Sequence, residues 1–86
     1  MTRTDLWLLA ILQKEQADDY MLAMSIDEIK EAGAGDIARI TIYKHLKKLL
    51  SSEYVAAGAK NNRASCYYIT DKGRKIIKDG EKNAEG

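Results

Sequence analysis

From Asp36 to Tyr54 one pattern dominates the chain. Ile42, Leu46 and Leu49 recur at helical spacing and form a single apolar stripe. Lys44, Lys47 and Lys48 fall away from that stripe, with Thr41 beside them. One helix therefore buries one side and offers cations on the other. A fold built round such a helix needs a core on one flank. Its other flank faces either a polyanion or water, and the flanking sequence has to decide between these two readings.

The preceding segment supplies a second helix. Ser25-Ile26-Asp27-Glu28 matches the capping-box pattern, in which the serine hydroxyl and the glutamate carboxylate each bind the other residue's amide. Asp27 and Glu28 also complement the positive end of the helix dipole. This helix is expected to reach about Ala32, with Ile26 and Ile29 inward. Gly33-Ala34-Gly35 should then break it, and Asp36 is the expected cap of the cationic helix. That helix starts between Ile37 and Ile40 and ends near Ser52. Two helices joined by a short glycine-containing turn, the second one basic, carry the signature of a helix-turn-helix.

Two strands follow. Tyr54 to Gly58 and Ser65 to Ile69 are β-prone, and the polar run from Ala59 to Ala64 between them reads as a turn. They make a hairpin with a basic tip. Tyr67 and Ile69 share its inward face. Thr70 caps a last helix from Asp71 to about Asp79, with Ile76 and Ile77 available for packing. Residues 1–79 thus form the domain, and 80–86 read as a flexible tail.

Before all this lies a helix capped by Thr4, with Asp5 in its first turn. Leu6 to Leu12 is apolar on nearly every side. A small domain has little interior for such a helix. Either short flanking elements cover it or part of it meets a second subunit, with Leu6, Trp7, Leu8 and Ile11 as the contact. Tyr20 to Met24 reads as a brief extended segment or a helical turn.

Composition narrows the function. Eighty-six residues make one small domain. No apolar run approaches the ~20 residues of a membrane span, and no secretory leader pattern opens the chain, so a cytoplasmic protein is expected. One cysteine, Cys66, and one histidine, His45, exclude a Cys/His metal cluster and an internal disulfide. No phosphate loop, nucleophile triad or carboxylate pair is present, so neither an enzyme nor a cofactor is expected. The near-neutral net charge hides a division. Residues 1–36 hold three basic side chains against eight acidic ones, and residues 37–80 hold ten against three. A basic half suits a polyanionic partner.

The order of elements resembles a winged helix-turn-helix domain: α+β, mainly α, with a three-helix core, a two-stranded β-hairpin wing and a short C-terminal helix. T-I-Y-K-H-L-K-K-L at Thr41 to Leu49, Y-V at Tyr54-Val55 and Y-Y-I-T-D-K-G-R at Tyr67 to Arg74 are similar to the PadR-type transcriptional regulators. The last piece follows that family's Y-x-(I or L)-T-x-x-G junction between strand and helix. MarR-type regulators are a more distant fit. The resemblance covers about residues 5 to 79. It implies a cytoplasmic prokaryotic or phage DNA-binding regulator, usually a homodimer, with the third helix in the major groove and the wing on the backbone or minor groove.

Carried over, Thr41, Lys44, His45 and Lys48 lie on or near the groove side, and Lys60 to Arg63 at the wing tip. Arg39, Thr41, Lys44 and His45 are candidates for reading bases. Lys44, Lys47 and Lys48 suit phosphates, which give affinity and salt dependence rather than sequence choice. At the wing, Asn61 and Asn62 form the turn. Lys60 and Arg63 seek phosphate, and Asn62 joins the contact set. His45 is as well suited to be a satisfied boundary residue as a DNA contact.

Three positions depart from the family. Glu53 stands where a glycine usually ends the third helix. The long C-terminal dimerisation region has no counterpart after Asp79, which leaves the first helix as the expected dimer surface. Ile40 either touches a thymine methyl from the exposed side or packs in the turn before the helix begins, and the second is expected. The reading is a sequence-specific double-stranded DNA-binding regulator, a repressor. The alternative is a winged-helix adaptor whose basic helix meets an acidic protein.

Overall fold

A computed structural model describes residues 1–60 and 63–85, with residues 79–85 described by their backbone alone. Asn61, Asn62 and Gly86 lie outside the described residues. Helix α1 runs Arg3–Lys14. A single 3-10 turn, Tyr20–Leu22, leads to the two-residue strand β1, Met24–Ser25. Helix α2, Ile26–Ile29, widens into a π turn over Lys30–Ala34. Then come α3, Arg39–Ser51, β2, Val55–Ala57, β3, Cys66–Ile69, and α4, Asp71–Glu85.

The Ser25 capping box is present as the sequence predicts. The Glu28 amide donates to Ser25 Oγ at 3.2 Å, and the Ser25 amide donates to Glu28 Oε1 at 2.9 Å. A second capping box starts α1, two residues earlier than expected. Thr2, not Thr4, is the cap, with Asp5 as its partner at 3.0 and 3.1 Å. Asp36 does not cap α3. Ala38 holds that position without a side-chain bond, because Asp36 and Ile37 still belong to the turn, which the Ile37 amide closes onto the Ala34 carbonyl at 3.1 Å. Lys30 secures the turn instead, its Nζ donating to the Ile37 carbonyl at 2.5 Å.

The sheet has three antiparallel strands in the order β1-β3-β2, so the expected two-stranded hairpin gains an edge strand. Met24 pairs with Tyr67 and Ser25 with Cys66, while Val55, Ala56 and Ala57 pair with Ile69, Tyr68 and Tyr67. Tyr67 and Ile69 are buried as expected, and Cys66 is buried as well.

The core explains why α1 is so apolar. Leu8, Leu9, Ile11 and Leu12 meet Ile29 and Ala34, the stripe Ile42, Leu46 and Leu49 of α3, and Tyr67 and Ile69 of β3, with Ile76 and Ile77 of α4 packed against this cluster. Helix α1 thus lies at the centre, covered by α2, α3, α4 and the sheet of its own chain. Leu8 and Ile11 are buried inside the chain, which removes them from the expected dimer surface. Leu6 and Trp7 stay exposed, Trp7 by 52%. Each core leucine or isoleucine contributes about 1.5–3 kcal/mol by leaving water.

The C-terminal helix is not short. It spans 15 residues and passes through the expected boundary at Asp79 as far as Glu85.

Candidate nucleic-acid interface

Helix α3 carries the candidate site. Its stripe Ile42, Leu46 and Leu49 is fully or almost fully buried, which fixes the rotation of the helix. Arg39, Ile40, Thr41, Tyr43, Lys44, Lys47 and Lys48 are consequently exposed. Ile40 lies within α3 and is 60% exposed, so it does not pack in the preceding turn. A β-branched apolar side chain on the outer face, at the start of the helix, is suited to a thymine methyl.

Neighbouring elements engage the two flanks of α3. On the α2 side, Arg39 forms an ion pair with Asp27. On the α1 side, His45 Nδ1 lies 2.5 Å from Asp5 Oδ1, and Lys48 Nζ lies 3.8 Å from Asp5 Oδ2. Burial pushes the Asp5 carboxyl up. Hydrogen bonds from His45 and from Thr2, with the charge of Lys48, outweigh it and hold the group below its ordinary value. Between the flanks, Lys47 lies 5.8 Å from the Tyr43 ring centroid. Thr41 and Lys44 make no side-chain hydrogen bond or ion pair among the described residues. The middle of the helix face is thus free to meet a ligand.

The wing rises beside the Arg39 flank. A cleft of about 180 Å³ between α3 and the hairpin is lined by Ser25, Asp27, Arg39, Tyr43, Ser65 and Tyr67, among others. Burial pushes the Tyr67 phenol up, so it stays a neutral hydroxyl. The root of the wing is pinned. The Gly58 amide donates to the Cys66 carbonyl at 3.0 Å, and the Ala59 amide to the Tyr20 carbonyl at 2.8 Å. A Cβ on Gly58 would stand 2.3 Å from Ala23 Cβ and 2.7 Å from the Tyr20 carbonyl oxygen, so only glycine fits there. Lys60 and Arg63 are exposed on either side of the turn. The expected contact Asn62 lies outside the described residues.

The helical turn is held from behind. Trp7 Nε1 donates to the Gly33 carbonyl at 2.9 Å, across a cleft of about 270 Å³ also lined by Arg3, Asp36 and Ile37. The sequence pattern does not reveal Asp5, Asp27 and Lys30 as parts of the site. Asp5 and Asp27 sit in helix first turns, where capping and the dipole explain an acid without further need. Lys30 carries no pattern at all.

No protein-family model matches the sequence, and no curated protein matches it. Solved structures do. BpsR of Bordetella bronchiseptica, described for the regulation of its DNA binding by 6-hydroxynicotinic acid, superposes with a TM-score of 0.78 at 20% identity. TubR from Bacillus megaterium pBM400 gives 0.79 at 18% identity over 93% of this chain and 86% of its own. The fold is a winged helix. The DNA-binding TubR fragment of Clostridium botulinum matches 92% of the chain and 95% of its own length, with a TM-score of 0.71 at 20% identity. The match to BpsR takes in 99% of this chain but only 56% of BpsR. Among the described residues, no helix is long and apolar enough to cross a membrane.

Proposed function

We propose that this winged helix binds double-stranded DNA as a sequence-specific transcriptional regulator, with α3 in the major groove and the wing on the backbone. The observation that carries this is the α3 face itself. The fold consumes Ile42, Leu46 and Leu49 and leaves Thr41, Lys44, Lys47 and Lys48 exposed on one continuous surface. The likeness to a TubR fragment described as DNA-binding supports it. Lys44, Lys47, Lys48, Lys60 and Arg63 take phosphates, while Thr41, Ile40 and Arg39 read bases once Asp27 releases the arginine. The Thr70 to Gly73 junction supports kinship with the PadR-type regulators. The protein acts as a repressor in a prokaryotic or phage cytoplasm. It works as a symmetric dimer in which Leu6 and Trp7, the large exposed apolar residues on α1, meet their copies.

Fluorescence anisotropy with mixed-sequence duplexes tests the reading. Log affinity should fall linearly with log salt. Lys48→Ala combined with Arg63→Ala should weaken binding on every sequence and lower the salt slope by about two, one for each cation removed from a phosphate. Binding that is absent, or insensitive to salt, overturns the reading in favour of an adaptor whose basic helix meets an acidic protein.

A further inference from the structure

Asp5 is the one carboxylate among the described residues whose side chain is almost wholly withdrawn from water, at 1% exposure. As a helix cap it needs a single oxygen, and Oδ2 fills that role by accepting from the Thr2 amide at 3.0 Å. The other oxygen, Oδ1, is aimed across the helix packing at His45 Nδ1, 2.5 Å away on α3. Nothing in the capping of α1 requires that second bond.

We propose that Asp5 is a positioning residue for a phosphate-binding pair, in which its buried carboxylate holds the His45 imidazole with Nε2 outward on the Lys48 shoulder of α3. This rests on the DNA reading above and adds to it an acidic residue that touches no DNA.

The geometry assigns the proton. A carboxylate accepts only, so Nδ1 must carry hydrogen. In the neutral ring Nε2 is then an acceptor and repels phosphate. In the imidazolium both nitrogens donate. His45 Nε2 has no hydrogen-bond partner among the described residues, yet it is not a buried unsatisfied atom, so it reaches solvent. The charged side chains at this cluster are Asp5 from α1 and Lys48 from α3, with Thr2 adding a neutral hydroxyl, and Met1 with its terminal amine lines the same cleft as Asp5 and Lys48. Once His45 is charged, Asp5 balances one of the two side-chain cations and leaves the other for a phosphodiester. His45 therefore adds its bond to the phosphate held by Lys48 only when protonated, and DNA binding draws in a proton.

The chain has a single histidine, so its ring signals report this site alone. Duplex affinity is measured by anisotropy from about pH 8 to about pH 5.5, the span in which histidine changes charge. Ring nitrogen NMR is recorded with and without duplex. Wild-type affinity should rise roughly three- to tenfold toward low pH, as for one charge-assisted hydrogen bond in a wet interface. Added duplex should shift the histidine titration to higher pH. His45→Gln keeps the capping box and should flatten the pH profile. Asp5→Asn, if folded by circular dichroism, should lower affinity severalfold and mix the ring tautomers. A wild-type pH profile equal to that of His45→Gln, or a titration that duplex does not move, overturns this inference alone. No duplex binding by the wild type at any pH overturns it together with the DNA reading.

Discussion

Glu53 sits at φ 66°, in the left-handed region that glycine enters without penalty and other residues enter at a cost of about 1–2 kcal/mol. It is held there because it closes α3. The Glu53 amide donates to the Leu50 carbonyl at 3.1 Å and the Tyr54 amide to the Leu49 carbonyl at 2.9 Å. Together these form a Schellman motif. Gln16, at φ 60°, closes α1 in the same way, with the Ala17 amide reaching the Leu12 carbonyl at 2.8 Å. The PadR-type regulators that the sequence resembles usually carry a glycine at this position, and a left-handed backbone here is a reason for one. Glu53→Gly removes the strain and also an acidic side chain from the negative end of the helix dipole. After the entropy glycine loses on folding, the variant should be more stable by about 0.5–1 kcal/mol. Urea unfolding followed by circular dichroism measures it, and an unchanged or lower midpoint would show that the carboxylate has a role the structure does not display.

At the scale of elements, the joint between α3, β2, β3 and α4 turns on Gly73. Thr70 Oγ1 donates to the Glu53 carbonyl at 2.7 Å and accepts from the Gly73 amide at 3.1 Å, and Lys72 Nζ reaches the Ser52 carbonyl at the end of α3 at 3.0 Å. That brings the first turn of α4 so near the Tyr54 backbone that a Cβ on Gly73 would lie 2.3 Å from the Tyr54 carbonyl oxygen and 2.8 Å from Ile69 Cγ1. Gly73→Ala should therefore destabilise by about 1–3 kcal/mol through overpacking. Intrinsic helix propensity predicts the opposite, a gain of about 1 kcal/mol. The sign of the measured change decides between close approach and propensity. The T-x-x-G pattern is legible in the sequence, and so are the Ser25 cap and the α3 stripe, because each is written in neighbouring residues. The rest depends on distant partners. Strand β1 has two residues, too few to show a period, and exists because Tyr67 and Cys66 lie beside it. The apolar surround of α1 reads as a dimer seam until α4 and β3 are seen to cover it. The reach of α4 past Asp79 has no apolar signal, since residues 80–86 contain none larger than alanine. The cationic side of the site is legible for the same local reason. Its acidic supports, Asp5 and Asp27, are not, because their partners are on another helix.

Over the whole molecule, the buried carboxylate of Asp5 fastens the acidic first half of the chain to the basic second half, and this sets how the fold responds to acid. Its hydrogen bonds from His45 and Thr2 and the charge of Lys48 hold it below the ordinary carboxylate value of 3.8. The folded state thus binds the Asp5 proton less readily than the unfolded chain does. The stability this supplies is fully present above the unfolded value and is lost as pH falls through the lower, folded value. A charge on His45 does not reverse the sign, since an imidazolium donates to the carboxylate at least as well as a neutral ring. The margin of wild type over Asp5→Asn should therefore be no smaller at about pH 4.5 than at neutral pH, and it should shrink below about pH 3.8 as the wild-type carboxyl takes up its proton. Urea midpoints of both proteins at stepped pH measure it. A margin that persists unchanged into strong acid would mean that the asparagine loses packing or capping rather than charge. The bond between α1 and α3 would then be a neutral one.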